Sequence, residues 1–175
     1  MKRRALLALL PTAVSLAGCG FRPVYMPTAS GKPGVAQREL AATEVAIIAE
    51  RPGQLLRQAL QNRFASDAGP SHRYILSADF AIAGEGVGIL IDNSASRVRL
   101  IGSVNWVLRA RDTGRAVLTS GSARTLDGFN LFSEQYFGAT LENEAAQRRM
   151  AEALADQIAL QLATWFNRRA EAAAG

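Results

Sequence analysis

The sequence predicts an α+β fold, a two-layer sandwich in which a four-stranded, mostly antiparallel sheet carries two helices on one face. Three observations predict it. Two segments alternate apolar and polar residues with the period of two that a half-buried strand requires, two others repeat apolar residues at helical spacing, and the order of elements is β, α, β, β, β, α. Each helix has one apolar stripe to bury, so both are expected against the same sheet face.

The chain opens on a basic start (Lys2, Arg3, Arg4), an apolar stretch from Ala5 to Leu10 that resumes at Ala13, and small residues before a cleavage point. This pattern describes a secretory leader over residues 1–18. The apolar stretch falls short of the ~20 residues of a spanning helix, and Pro11 interrupts it. Leu16, Ala17, Gly18 and Cys19 resemble the bacterial lipobox, which implies cleavage between Gly18 and Cys19 and lipidation of the Cys19 thiol. About 0.8 kcal/mol per buried methylene makes one acyl chain marginal and two or three durable. Gly20 stands where enteric inner-membrane lipoproteins often carry Asp, which favours the outer membrane. Residues 19–42 are rich in Pro, Gly, Ser and Thr without an apolar period and read as a lipidated tether.

A single domain is expected over 43–170. Val45, Ala46, Ile47, Ile48 and Ala49 form a β-prone run without alternation, the pattern of a strand covered on both faces, closed by Pro52 and Gly53. Leu56, Ala59, Leu60, Arg63 and Phe64 then recur at helical spacing until Gly69 and Pro70. Tyr74, Leu76, Ala78, Phe80 and Ile82 alternate with Arg73, Ile75, Ser77, Asp79 and Ala81 as a second strand. Gly84, Gly86 and Gly88 depart from the spacing of a phosphate-cradling loop and read as a flexible turn or bulge, followed by a polar turn at Asp92, Asn93 and Ser94.

From Ser96 to Arg111 the alternation is clearest. It puts Val98, Leu100, Val104, Trp106 and Leu108 on one face and Arg97, Arg99, Ser103, Asn105, Arg109 and Arg111 on the other. Asp112, Thr113 and Gly114 close a hairpin, with Gly available for positive φ, and Ala116 to Thr125 return as its partner. An aromatic stretch (Phe129, Phe132, Tyr136, Phe137) is expected to cap the core, with a partner-insertion loop as the other reading. A long helix follows from about Leu141 to Arg168, striped by Met150, Leu154, Ile158, Leu162 and Trp165. Glu142 and Glu144 lie near its start and Arg168 and Arg169 near its end, as the helix dipole favours. Glu144 and Arg148 are spaced for a surface pair, and residues 171–175 are expected as a flexible tail.

The cysteine-proximal string Gly20, Phe21, Arg22, Pro23, Val24 and Tyr25, with this element order, Ser133 and Tyr136 before the last helix, and that helix's small, acidic and Arg residues, resembles the LPS-assembly lipoprotein family LptE, especially its alphaproteobacterial members. The resemblance implies a lipid-anchored protein on the periplasmic side of the outer membrane, acting as plug and assembly factor of the LPS-assembly β-barrel protein (LptD-like) and binding lipopolysaccharide during its delivery. Arg97, Arg99, Arg109 and Arg111 are candidate contacts for LPS or barrel, since Arg forks beside apolar side chains suit phosphates and carboxylates next to acyl chains. They equally suit a merely solubilised sheet face.

Composition narrows the alternatives. The net charge of +5 includes three leader bases, and the mature chain carries 17 bases against 15 acids without a basic run or interleaved aromatics, which argues against nucleic acid. The one cysteine permits no intrachain disulfide and, with one histidine, no metal cluster. A Ser-His-Asp triad would rest wholly on His72, which reads as a surface residue, and carboxylate pairs such as Asp79 with Glu85 or Glu142 with Glu144 sit in ordinary surface settings. No catalytic residue and no cofactor is expected. A lipid-carrier or ABC-transporter accessory lipoprotein, and a periplasm-facing hydrolase, are the other function classes.

Overall fold

The computed structural model describes residues 24–28, 30–64, 72–89, 95–131 and 136–175. Gly18, Cys19, the Asp92 to Ser94 turn and Phe132 lie outside them. The elements run α1 (Val35–Ala41), β1 (Thr43–Val45), α2 (Glu50–Phe64), β2 (Tyr74–Ile89), β3 (Ala95–Ala110), β4 (Val117–Asn130) and α3 (Tyr136–Ala174). The strands lie in sequence order, and the sheet is mixed: β1 runs parallel to β2, while β2, β3 and β4 pair antiparallel.

One main core fills the space between the sheet and the helices. Leu76, Val104, Trp106, Leu108 and Ala123 point into it from the strands and meet Leu56, Leu60 and Phe64 of α2 and Leu154, Ile158, Leu162 and Phe166 of α3. The period-two reading of β2 and β3 therefore holds residue by residue. Gly102 opens room for α3, because a Cβ there would lie 2.6 Å from Met150 Cε and 3.2 Å from Phe80 Cε2. Gly121 plays the same part opposite Trp106, whose ring carbons would lie 2.6 and 2.9 Å from an added Cβ.

Several expectations are corrected. Among the described residues three helices, not two, cover the sheet, because residues 35–41 of the expected tether form α1 and bury Ala36 and Leu40 in the main core. Even Val24 packs against that core, and its carbonyl accepts a hydrogen bond from Asn167 Nδ2 at 3.0 Å. The first strand is not the 45–49 run: β1 pairs Thr43, Glu44 and Val45 with Tyr74, Ile75 and Leu76. Ile47 is 88% exposed while Ile48 is buried, so that run is not covered on both faces. Thr43 tolerates full burial because its hydroxyl donates to the Glu39 carbonyl at 2.9 Å.

The glycine stretch is strand rather than turn: Gly84 and Gly86 stay in register with Leu100 and Val98, and only Gly88 takes a positive φ, of 70°. In the β3–β4 hairpin the positive φ belongs to Arg115, at 42°, and not to Gly114. Phe129 lies within β4 and packs on a small second cluster of Leu100, Ala146 and Met150, whereas Phe137 is 81% exposed and caps nothing. Helix α3 spans 39 residues and includes 171–174, so neither of its end turns holds the charges expected there. Glu144 and Arg148 line one cleft, without an ion pair between them.

Candidate functional site

The sheet face turned away from the helices is the unusual surface. Along β3 it presents Arg97, Arg99, Ile101, Ser103, Asn105, Val107 and Arg109. Val87, Glu85, Ala83, Ala81, Asp79, Ser77 and Ile75 stand opposite on β2, and Leu126, Arg124, Ser122 and Ser120 on β4. No described helix covers it. The face is mixed rather than apolar throughout, since charged and hydroxyl side chains interrupt every apolar cluster.

The structure does not bring the four candidate arginines together. Arg97 and Arg99 share one end of the sheet, and Arg109 and Arg111 lie twelve residues further along, ~40 Å away at 3.3 Å per residue. Arg111 is tied to Glu44 of β1, and Arg99 lies 3.6 Å from Glu85 across the strand pair. Among the described residues Arg97 and Arg109 make no ion pair.

The end holding Arg97 has the richer chemistry. Arg97, Gly128, Phe129, Asn130 and Glu142 line a cleft of ≈ 240 Å³ where the tips of β3 and β4 meet the first turns of α3. Beside it Arg149 donates to both oxygens of Asp127, at 2.8 and 3.2 Å, which fixes α3 to β4. Partial burial works against the Asp127 carboxylate. The Arg149 hydrogen bonds, the Gly128 N–H and the Arg149 and Arg97 charges outweigh it and hold the pKa below 3.8. Phe137, Leu141 and Leu126 stand exposed at this same end. An unpaired guanidinium beside exposed apolar side chains suits a ligand that joins anionic groups to hydrocarbon.

The sequence singled out Arg97 and Arg99 but not Leu126, Leu141 or their neighbourhood with Phe137. A usable signal was present: Phe137 and Leu141 are four apart, one helical turn, ahead of the charged positions at 142 and 144.

The edge of the sheet is managed from the helix layer. Trp106 Nε1 donates to Gln161 Oε1 at 3.1 Å, Gln161 Nε2 donates to the Ser122 carbonyl at 3.1 Å, and Gln157 Nε2 to the Arg124 carbonyl at 3.3 Å. Two carbonyls of edge strand β4 are thereby occupied, which blunts strand addition at its centre.

His72 is half-buried just before β2 and has no catalytic partner among the described residues. Among those residues no group of three or more His, Cys, Asp or Glu stands close enough to hold a metal, and no helix is long and apolar enough to cross a membrane.

The LptE family, described as lipopolysaccharide-assembly, matches residues 40–162. No curated protein matches the chain in sequence. A lipoprotein from Caulobacter crescentus CB15 superposes with a TM-score of 0.64 at 24% identity, over 75% of this chain and 96% of that one. The rare lipoprotein B of Shewanella oneidensis gives 0.51 at 12% identity, over 74% and 98%, and a minor lipoprotein of Acinetobacter baumannii gives 0.53 at 10%, over 73% and 93%. At these identities the structures establish the shared fold.

Proposed function

We propose that this chain, which belongs to the LptE family of lipopolysaccharide-assembly proteins, is an outer-membrane lipoprotein acylated at Cys19. In this reading it forms a complex with the LPS-assembly β-barrel, as plug and assembly factor, and binds lipopolysaccharide as it passes. The observation that carries the reading is the sheet face that no described helix covers, which carries Arg97, Arg99 and Leu126 toward the end where the first turns of α3 expose Phe137 and Leu141. A barrel wall would cover such a face, and the guanidinium and apolar groups at its tip match the phosphates and acyl chains of LPS. The role is one of binding and placement and calls for no bond making. The lipoprotein names of the structures that share the fold support the Cys19 reading.

Affinity purification of the tagged chain from detergent-solubilised outer membranes tests the proposal. A stable one-to-one complex with an integral barrel protein is expected. Recovery of the chain alone, or with subunits of an inner-membrane transporter, would overturn it and favour the carrier reading.

A further inference from the structure

Charge is distributed unevenly along the molecule. The end opposite the Arg97 cleft gathers the starts of β1 and β2, the β3–β4 hairpin, α1, the last turns of α3 and the N-terminal segment from Val24. These are joined by the Tyr74–Phe166 ring contact at 5.2 Å, the backbone bond from Arg111 to Arg73 and the Asn167–Val24 bond. Two bases there, Arg73 and Arg111, are neutralised by Glu39 and Glu44. Six more, Lys32, Arg38, Arg109, Arg115, Arg168 and Arg169, stand with Asp112 and Glu171 among the described residues, an excess of +4. The remaining described residues carry eight bases and eight acids. The net charge of the described residues therefore resides at one end.

That end is also where the chain is fixed nearest its anchor. Five Cα-to-Cα steps lead from Cys19 to Val24, a reach of at most ~18 Å, whereas the Arg97 cleft lies ~40 Å further along the sheet. Apolar groups accompany the bases: Met26 is 58% exposed, and the Trp165 ring is half-buried beneath the Arg169 guanidinium, 5.2 Å from its centre. Met26, with Val24, Pro27, Val35 and Ala174, lines an open groove of ≈ 610 Å³ against the end of α3. Basic side chains beside an aromatic ring and apolar grooves form the pattern of a surface that rests at a lipid headgroup layer.

We propose that this basic end is a docking surface for anionic phospholipid headgroups in the leaflet that holds the N-terminal lipid. In the chain not yet enclosed by the barrel, docking stands the molecule on end, with the Arg97 cleft at the end away from that leaflet. It divides the four sheet arginines into two roles: Arg109 and Arg111 belong to the membrane-facing end and Arg97 and Arg99 to the end that meets cargo or barrel. The inference rests on the Cys19 anchor only for bringing the surface within reach, since headgroup attraction acts over a Debye length of about 8 Å at physiological salt.

The test uses the exported, full-length processed protein in vesicles of phosphatidylcholine alone or mixed with phosphatidylglycerol, read by hydrogen–deuterium exchange and by resistance to carbonate extraction. Segments 31–41, 110–116 and 166–174 are expected to gain protection only in the phosphatidylglycerol vesicles, and to lose it at high salt. The variant Arg38→Glu, Arg115→Glu, Arg168→Glu changes exposed side chains that make no ion pair with a described residue. At about fivefold per basic residue near an anionic surface, it lowers the docked population by about a hundredfold or more. Equal exchange in both vesicles, protection that survives the triple variant, or protection confined to 84–88 and 97–99 would overturn the proposal. Carbonate extraction of the protein would instead reject the Cys19 anchor, and docking would then be read from salt-sensitive flotation with phosphatidylglycerol vesicles.

Discussion

Replacing Gly121 by Ala probes the joint between edge strand and long helix. The added Cβ would stand 2.6 Å from Trp106 Cζ2, about 0.8 Å inside ordinary contact, and 3.2 Å from Gln161 Oε1. The indole has little room to retreat: Trp106 is 3% exposed, and its Nε1 is bound to Gln161. Overpacking of this kind costs about 1–3 kcal/mol, and loss of the indole hydrogen bond about 0.5–1.5 kcal/mol more. Restricting the unfolded chain at a former glycine returns about 0.4–1 kcal/mol. The expected net loss is about 2 kcal/mol, measured by urea unfolding of the processed protein with tryptophan fluorescence. Because the cause is steric, Trp106→Phe in the Gly121→Ala background should cost much less than Trp106→Phe alone, a coupling of more than about 0.5 kcal/mol. A Gly121→Ala protein within about 0.5 kcal/mol of the parent, or strictly additive costs in the double variant, would show that Gly121 does not make room for the Trp106 ring.

Other consequences are as specific. Leu154, with no exposed surface at the centre of α3, should lose about 2–5 kcal/mol as Leu154→Ala in the same assay. Arg97→Glu with Arg99→Glu, both on exposed side chains, should leave the urea midpoint unchanged while weakening LPS retention in pull-down. Unchanged retention would leave those arginines a solubilising role only. The carboxyls of Asp127, held down against burial by Arg149, and of Asp156, held down chiefly by its Arg63 hydrogen bond, have folded pKa values below 3.8. Their contribution to stability is thus present above 3.8 and lost as pH falls through the lowered values. Thermal midpoints from about pH 5 to about pH 2 should fall less steeply in Asp127→Asn, Asp156→Asn than in the parent.

The alternation in β2 and β3 was legible because burial on a single face imposes a period of two, and the facing of Leu76, Val104, Trp106 and Leu108 follows from it. The core stripe of α3 was legible for the same reason at helical spacing, from Met150 to Leu162. What escaped was decided at a distance. β1 is three residues long and its register is set by Tyr74 to Leu76, so the more β-prone Ile47 is left in solvent. α1 contributes only Ala36 and Leu40 to the core, too few to show a period behind Pro33 and Gly34. Gly84 and Gly86 are strand because β3 pairs with them, against their own weak β preference. The separation of the arginines into two groups needed no structure, since twelve strand residues fix it. The exposure of Phe137 did need one, because an aromatic near a sheet end reads as core until the helix direction is known.

Depletion of the chain in its native cell, with surface lipopolysaccharide quantified, tests its role in lipopolysaccharide delivery. Surface LPS is expected to fall while LPS accumulates behind the outer membrane, and the intact chain is expected to restore delivery. Undiminished surface LPS after complete depletion would contradict that role.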